Sequence, residues 1–423
     1  MVSARHVVVS LALGFALLGV GACNAILGND QPTIANEGNP DGSSPPTTDG
    51  ASPNGGDGST LPDGAPSRDG NVTTNDGNPS SGDDDDGGSS SGGDGSVPAC
   101  LGDVCFLAAH QPGPYEIAVD TSHVYFTNQG ANPALDGGTG DGGGSVMRVG
   151  LDGGVVTPLA SGLHAPREVV LDTGNVYWNS HDTPNATAGS AGSIGQVAKT
   201  GGAVSFPVQG ITDDLLGLAM YEGNLVWGQP TDGIVGENLL DAGGPIHMTS
   251  GEFDIGGLVA DSTGVYDLAS SANPDALATI LQTITIGGGG QDTRSTELYE
   301  YQDPLIFGRA ALGTRYIYFL DTLDGNVVAF DKNFNTPAIL ATGQTGAVDI
   351  AFDAATNTLY WTLEGTQGGG YTDGSVLKML AVADAGAPQI VAGNQPRPHG
   401  IAVDGTRVYW TNLLDGSVRV TAK

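Results

Sequence analysis

One phrase recurs through most of this 423-residue chain and constrains its fold more than any other feature. A short apolar run is followed by a tight turn and a second run carrying Tyr or Trp. Glu116-Ile-Ala-Val-Asp120 precedes His123-Val-Tyr-Phe-Thr-Asn128, and Glu168-Val-Val-Leu-Asp172 precedes Asn175-Val-Tyr-Trp-Asn-Ser180. Gly217-Leu-Ala-Met-Tyr221 is followed by Asn224-Leu-Val-Trp-Gly228, and Gly257-Leu-Val-Ala-Asp261 by Gly264-Val-Tyr-Asp-Leu268. A weaker copy, Arg309-Ala-Ala-Leu312, precedes Tyr316-Ile-Tyr-Phe-Leu320. Asp349-Ile-Ala-Phe-Asp353 leads to Thr358-Leu-Tyr-Trp-Thr362, and Gly400-Ile-Ala-Val-Asp404 to Arg407-Val-Tyr-Trp-Thr-Asn412. Aligning Ala310 of the weak copy with Ala118 and Ala402 of the others gives seven copies at intervals of roughly 40–50 residues. That interval, filled with short strands, marks a β-propeller.

Each copy reads as four strands. The first is apolar on both faces, as the inner strand of a blade requires. The second carries the aromatics, and the third opens with Gly-Ser-Val or Asp-Gly-Asn-Val. Asp-Gly and Gly-Gly supply the positive φ of the tight turns. The last copy ends at Lys423 after three strands, while Val104-Cys-Phe-Leu-Ala-Ala109 stands alone ahead of the first. The expectation is therefore an all-β propeller of seven four-stranded blades, closed by an N-terminal strand that joins the C-terminal blade. Six blades is the alternative, if 215–229 or 304–321 is not a blade.

Composition removes other classes. Fourteen Lys and Arg against 47 Asp and Glu give a net charge of −33, which repels nucleic-acid phosphate. With 69 Gly and 24 Pro, long helices are excluded. A single apolar run, at residues 7–20, excludes a multi-pass membrane protein.

That run has the form of a secretory signal, with Arg5 before it and small residues after it. Val20-Gly21-Ala22-Cys23 resembles the lipobox of bacterial lipoproteins. The resemblance implies cleavage after residue 22, acylation of Cys23 and, with Asn24 next, an outer-membrane lipoprotein of the cell envelope. Residues 23–99 follow as a tether without an aromatic side chain, rich in Asp, Gly, Ser and Pro. Such a segment buries too little apolar surface to offset chain entropy, and as a coil it spans about 50 Å. The head is residues 100–423. Cys100 and Cys105, at its start, are expected to form a disulfide in an oxidising compartment.

The Tyr-Trp-Thr phrases, as in Tyr409-Trp-Thr-Asn412, resemble the YWTD and NHL-like propeller superfamily. Pro398-His-Gly-Ile-Ala-Val403 is similar to phrases of the virginiamycin B lyases, a resemblance confined to the blade scaffold. It implies a propeller and no particular chemistry. The expected function is a head, monomeric and held at a membrane by its lipid, that presents a binding face to a protein, peptide or glycan. The alternative is a lyase or hydrolase with a divalent cation at the channel mouth.

Candidate site residues come from one register column. Glu116, Glu168 and Asp349 occupy equivalent positions at the start of inner strands, and Tyr115, Arg167 and His399 stand one residue earlier. If the ring closes in chain order, these residues share one mouth. Crowded carboxylates need a positive partner, either a cation such as calcium or Arg167. The repeated Asp120, Asp172, Asp261, Asp353 and Asp404 read as turn formers, and Trp178, Trp227, Trp361 and Trp410 as packing between blades. The text matches Gly138-Thr-Gly140-Asp-Gly-Gly143 and Gly88-Ser-Ser-Ser-Gly92 lack the strand and helix their motifs require.

Overall fold

The computed structural model describes residues 100–130, 143–181, 192–211, 215–229, 234–238, 245–250, 253–270, 279–285, 294–301, 307–322, 324–332, 335–382 and 384–423. The signal, Cys23, the tether and most of the links at 129–143 and 181–192 lie outside the described residues. No helix among the described residues is long and apolar enough to cross a membrane.

Among the described residues antiparallel strands form seven sheets, six built from strands consecutive in the chain and one that joins the first two strands to the last three. The inner strands are Pro114–Val119, Pro166–Leu171, Leu216–Tyr221, Phe253–Asp261, Phe307–Leu312, Ala347–Asp353 and Pro398–Val403. They neighbour one another in chain order, and the last meets the first. This structure corrects the expectation of seven four-stranded blades. Six sheets have four strands, but the sheet that closes the ring has five. Val104–Ala108 pairs with Ser417–Ala422, and the short strand Cys100–Leu101 then adds outside it. The turn between these two strands is closed by the Cys100–Cys105 disulfide, which adds an edge that a four-strand repeat does not contain. The six-blade alternative also falls, because 216–250 and 307–341 each hold four paired strands.

The core lies between blades. Tyr125 and Val146 of the first blade pack with Val169, Val176 and Trp178 of the second. Tyr177 and Ile194 of the second pack with Leu218, Leu225 and Trp227 of the third. The four tryptophans are fully buried. Gly195 stands opposite Trp178 across a strand pair, and a Cβ there would lie 2.2 Å from the indole. The aromatic thus dictates the glycine.

In four blades the polar residue after the aromatic pair latches one blade to the next. Thr127 Oγ1 accepts from Glu116 N at 3.1 Å and donates to the Arg167 carbonyl of the following blade at 2.6 Å. Asn179 does the same with its amide, accepting from Glu168 N and donating to Leu215 O. Thr362 joins Asp349 N to His399 O, and Thr411 joins Gly400 N to Tyr115 O across the ring closure. Thr411 is fully buried, so Thr411→Val strands one donor and one acceptor. A loss of about 2 kcal/mol is expected in denaturant unfolding. An unchanged unfolding midpoint would show that the latch carries no stability.

The repeated aspartates form turns. Asp404 Oδ1 accepts from Thr406 N and Arg407 N at 2.6 and 2.7 Å, and its Oδ2 from the Tyr409 hydroxyl at 2.6 Å. Asp120 and Asp172 hold Tyr125 and Tyr177 in the same way. Lysines of a following blade then reach back, Lys199 to Asp120 at 2.9 Å and Lys423 to Asp353 at 2.6 Å. Partial burial raises these carboxyls, but the Lys199 bond and the turn amides outweigh it and hold Asp120 below the usual carboxylate range.

Candidate functional site

Strand register defines the column at the channel neck. Ile117 pairs with Phe126, Val169 with Trp178, Ile350 with Trp361 and Ile401 with Trp410. The residue before each of these is Glu116, Glu168, Asp349 and Gly400. In the fifth blade Ala310 pairs with Phe319 and Ala311 with Tyr318, so the preceding residue is Arg309. The weak copy therefore joins the others one residue later than the sequence alignment placed it, with Ala311 rather than Ala310 beside Ala118. The full column is Glu116, Glu168, Gly217, Gly257, Arg309, Asp349 and Gly400.

Arg309 reaches across the neck. Its Nη2 lies 2.5 Å from Glu116 Oε2 and its Nη1 lies 3.0 Å from Glu168 Oε1. The carboxylates also bind backbone. Glu168 Oε1 accepts from Gly217 N at 3.1 Å, and its Oε2 from the Asn179 amide at 3.1 Å. Asp349 accepts from Ile350 N at 2.9 Å and from Ile401 N of the next blade at 2.7 Å. Gly400 has to be glycine, since a Cβ there would lie 2.7 Å from the Tyr115 carbonyl and 2.9 Å from Glu116 Oε1. The convergence of these four side chains also shows that the inner strands start on one face of the ring.

Burial sets the protonation states. Desolvation drives the Glu116 carboxyl well above its ordinary range, against the attraction of Arg309. The neighbouring Asp349 and Glu168 carboxylates raise Glu116 further. Burial raises Asp349 as well, while Arg309 and the Ile401 and Ile350 amides lower it. Burial lowers Arg309, but the carboxylates outweigh it and keep the guanidinium charged.

One residue outward lies the rim. The rings of Tyr115 and His399 stack with centroids 3.9 Å apart. Burial and the fields of Arg309, Arg397 and Arg167 push His399 down to about 3, against a hydrogen bond to the Tyr115 backbone. The imidazole is neutral at physiological pH, and its Nδ1 has no hydrogen-bond partner. Desolvation also raises the Tyr115 phenol. Beside this pair Arg397 lies over the Tyr371 ring, 4.6 Å from its centroid, and its Nε donates to Glu364 at 3.2 Å.

All six sequence candidates thus meet at one mouth. Arg309 pairs with both glutamates, in the role the sequence reading gave to Arg167 or a cation; Arg167 stands one residue outward, near Tyr115 and His399. Where the sequence reading allowed calcium, the neck holds the Arg309 side chain bound to Glu116 and Glu168. A guanidinium stands where the cation was expected. Arg309 was within reach of sequence reasoning. Ala118 and Tyr125, Val170 and Tyr177, and Ala402 and Tyr409 are all seven apart, and counting back seven from Tyr318 reaches Ala311.

No protein-family model and no curated protein matches the sequence. Solved structures do resemble it. A catalytically inactive virginiamycin B lyase from Staphylococcus aureus with quinupristin aligns over 76% of this chain and 99% of its own, with a TM-score of 0.56 and 17% identity. The selenomethionine-substituted form of that lyase gives 0.54 and 16%, over 76% and 98%. The computationally designed Ika8 protein gives 0.50 and 12%, over 75% and 98%. At these identities the likeness is one of fold. The head of this chain is a β-propeller.

Proposed function

We propose that this chain is a cell-envelope lipoprotein whose propeller head binds a protein, peptide or glycan on the face where the inner strands start. The rim is the observation that carries the binding reading. Tyr115, Arg167 and His399 come from three consecutive blades, above a neck whose charges already satisfy one another. A neck held in this way keeps its shape without ligand, which lowers the ordering cost of binding. The cation-dependent lyase or hydrolase is not pursued, since Arg309 takes the place of its cation.

The test is a screen of the purified chain on peptide and glycan arrays, repeated with Tyr115→Ala and Arg167→Ala. Both variants should lose array signal at least tenfold with little change in melting temperature. Signal retained by both would overturn the rim as the binding face. Anchoring is tested separately. Cys23→Ser should move the protein from the membrane pellet to the soluble fraction, and a variant that pellets like wild type would overturn the lipid anchor.

A further inference from the structure

Beyond the neck, on the side away from the rim, the channel opens into a cavity of about 440 Å³. Its lining follows the column along the inner strands, as with Ala118, Val170, Ala219 and Val259, and its polar end is Glu168, Arg309 and Asp349. Tyr115, Arg167 and His399 do not line it. The volume is that of a small-molecule site.

Three features set the chemistry of an occupant. The walls are inner strands, each at the end of its sheet, so one edge of each has no strand partner. Such an edge presents N–H donors and C=O acceptors in alternation. The polar end is also mixed. The Arg309 side chain is 27% exposed against 6% for Glu116 and Glu168, and its two ion pairs occupy two of its five N–H donors. The charges leave room for neither sign. An anion would approach Glu168 and Asp349, and a cation would meet the guanidinium first. A neutral molecule whose groups both donate and accept is matched on every side, and the small aliphatic side chains suit its C–H surface.

We propose that this side of the channel is a binding site for a neutral polyhydroxylated molecule, a mono- or disaccharide. The proposal shares with the preceding section only the reading of the head as a binding module, and it uses a different side of the neck.

Isothermal titration of the full chain with N-acetylglucosamine, maltose and cellobiose, and with glucosamine and galacturonate as charged counterparts, tests it. At least one neutral sugar should bind, and the charged sugars at least tenfold more weakly. Ala260→Phe and Val119→Phe narrow the cavity and should each weaken binding at least tenfold, whereas Ile390→Ala, at an exposed position outside the cavity lining, should leave it unchanged. A crystal soaked with the bound sugar locates it in the channel even if a narrowing variant fails to fold. Absence of binding by all three neutral sugars, equal or tighter binding of a charged one, or sugar located outside the channel would overturn the proposal.

Discussion

Replacing Arg309 by methionine is expected to lower the stability of the head by about 3–5 kcal/mol, because it leaves buried carboxylates without their counter-ion. Guanidinium denaturation at pH 7 reads this directly. The variant should respond to pH in a defined direction. Without the guanidinium the folded-state pKa values of Glu116 and Asp349 rise further above those of the unfolded chain. The native state then holds more protons than the unfolded state, so stability increases as pH falls from 7 toward 5. Below about pH 4 the trend reverses. Asp120, Asp172, Asp261, Asp353 and Asp404 are held below their ordinary range, and their turn bonds weaken as they protonate. A chelator should leave the wild-type melting temperature unchanged. An Arg309→Met variant as stable as wild type at pH 7, or a wild type destabilised by chelator, would refute the guanidinium as the charge partner of the neck.

Deleting residues 100–110 should have a comparably large effect by another route. Cys105 and Phe106 pair with Val420 and Arg419. Leu107 and Ala108 are buried with Val418, Tyr409 and Val124 where the last blade meets the first. Phe106 also stacks under the Arg419 guanidinium, 4.5 Å from its ring centroid. Loss of Leu107 packing alone is expected to cost about 2–5 kcal/mol, and the deletion bares the edge of Ser417–Ala422, which favours association between chains. A lower melting temperature and a shift to larger species in size-exclusion chromatography should result. Deleting residues 30–96 should leave the melting temperature within a degree or two, at about the 0.5 kcal/mol expected of changes away from packed features. A head that melts normally without residues 100–110 would sink the role of the closing strand.

Much of the architecture was legible in the linear chain because it repeats. A residue that recurs at a fixed step from an aromatic does the same work in every blade, and the turn aspartates and buried tryptophans could be assigned from that recurrence. The orphan run at 104–109 was legible as the missing partner of the last blade. The extra strand Cys100–Leu101 was not, since it belongs to no repeat and depends on a local turn at the sheet edge. Thr127, Asn179, Thr362 and Thr411 stand in the repeated phrases, but their role as latches was not legible there. Each joins an amide of its own blade to a carbonyl of the next, and that juxtaposition exists only when the ring is closed.

At the neck the division is sharper. The sequence alone determined that Glu116, Glu168 and Asp349 share a register position, that Tyr115, Arg167 and His399 precede that position, and that crowded carboxylates there need a positive partner. Only the tertiary structure decided which partner. Arg309 lies 193 residues from Glu116, in the least regular copy of the repeat, and reaches it by crossing the channel. Coulombic pairing acts through space and desolvation depends on what surrounds a group, so both the choice of guanidinium and the upward shift of the Glu116 carboxyl were settled by closure of the ring.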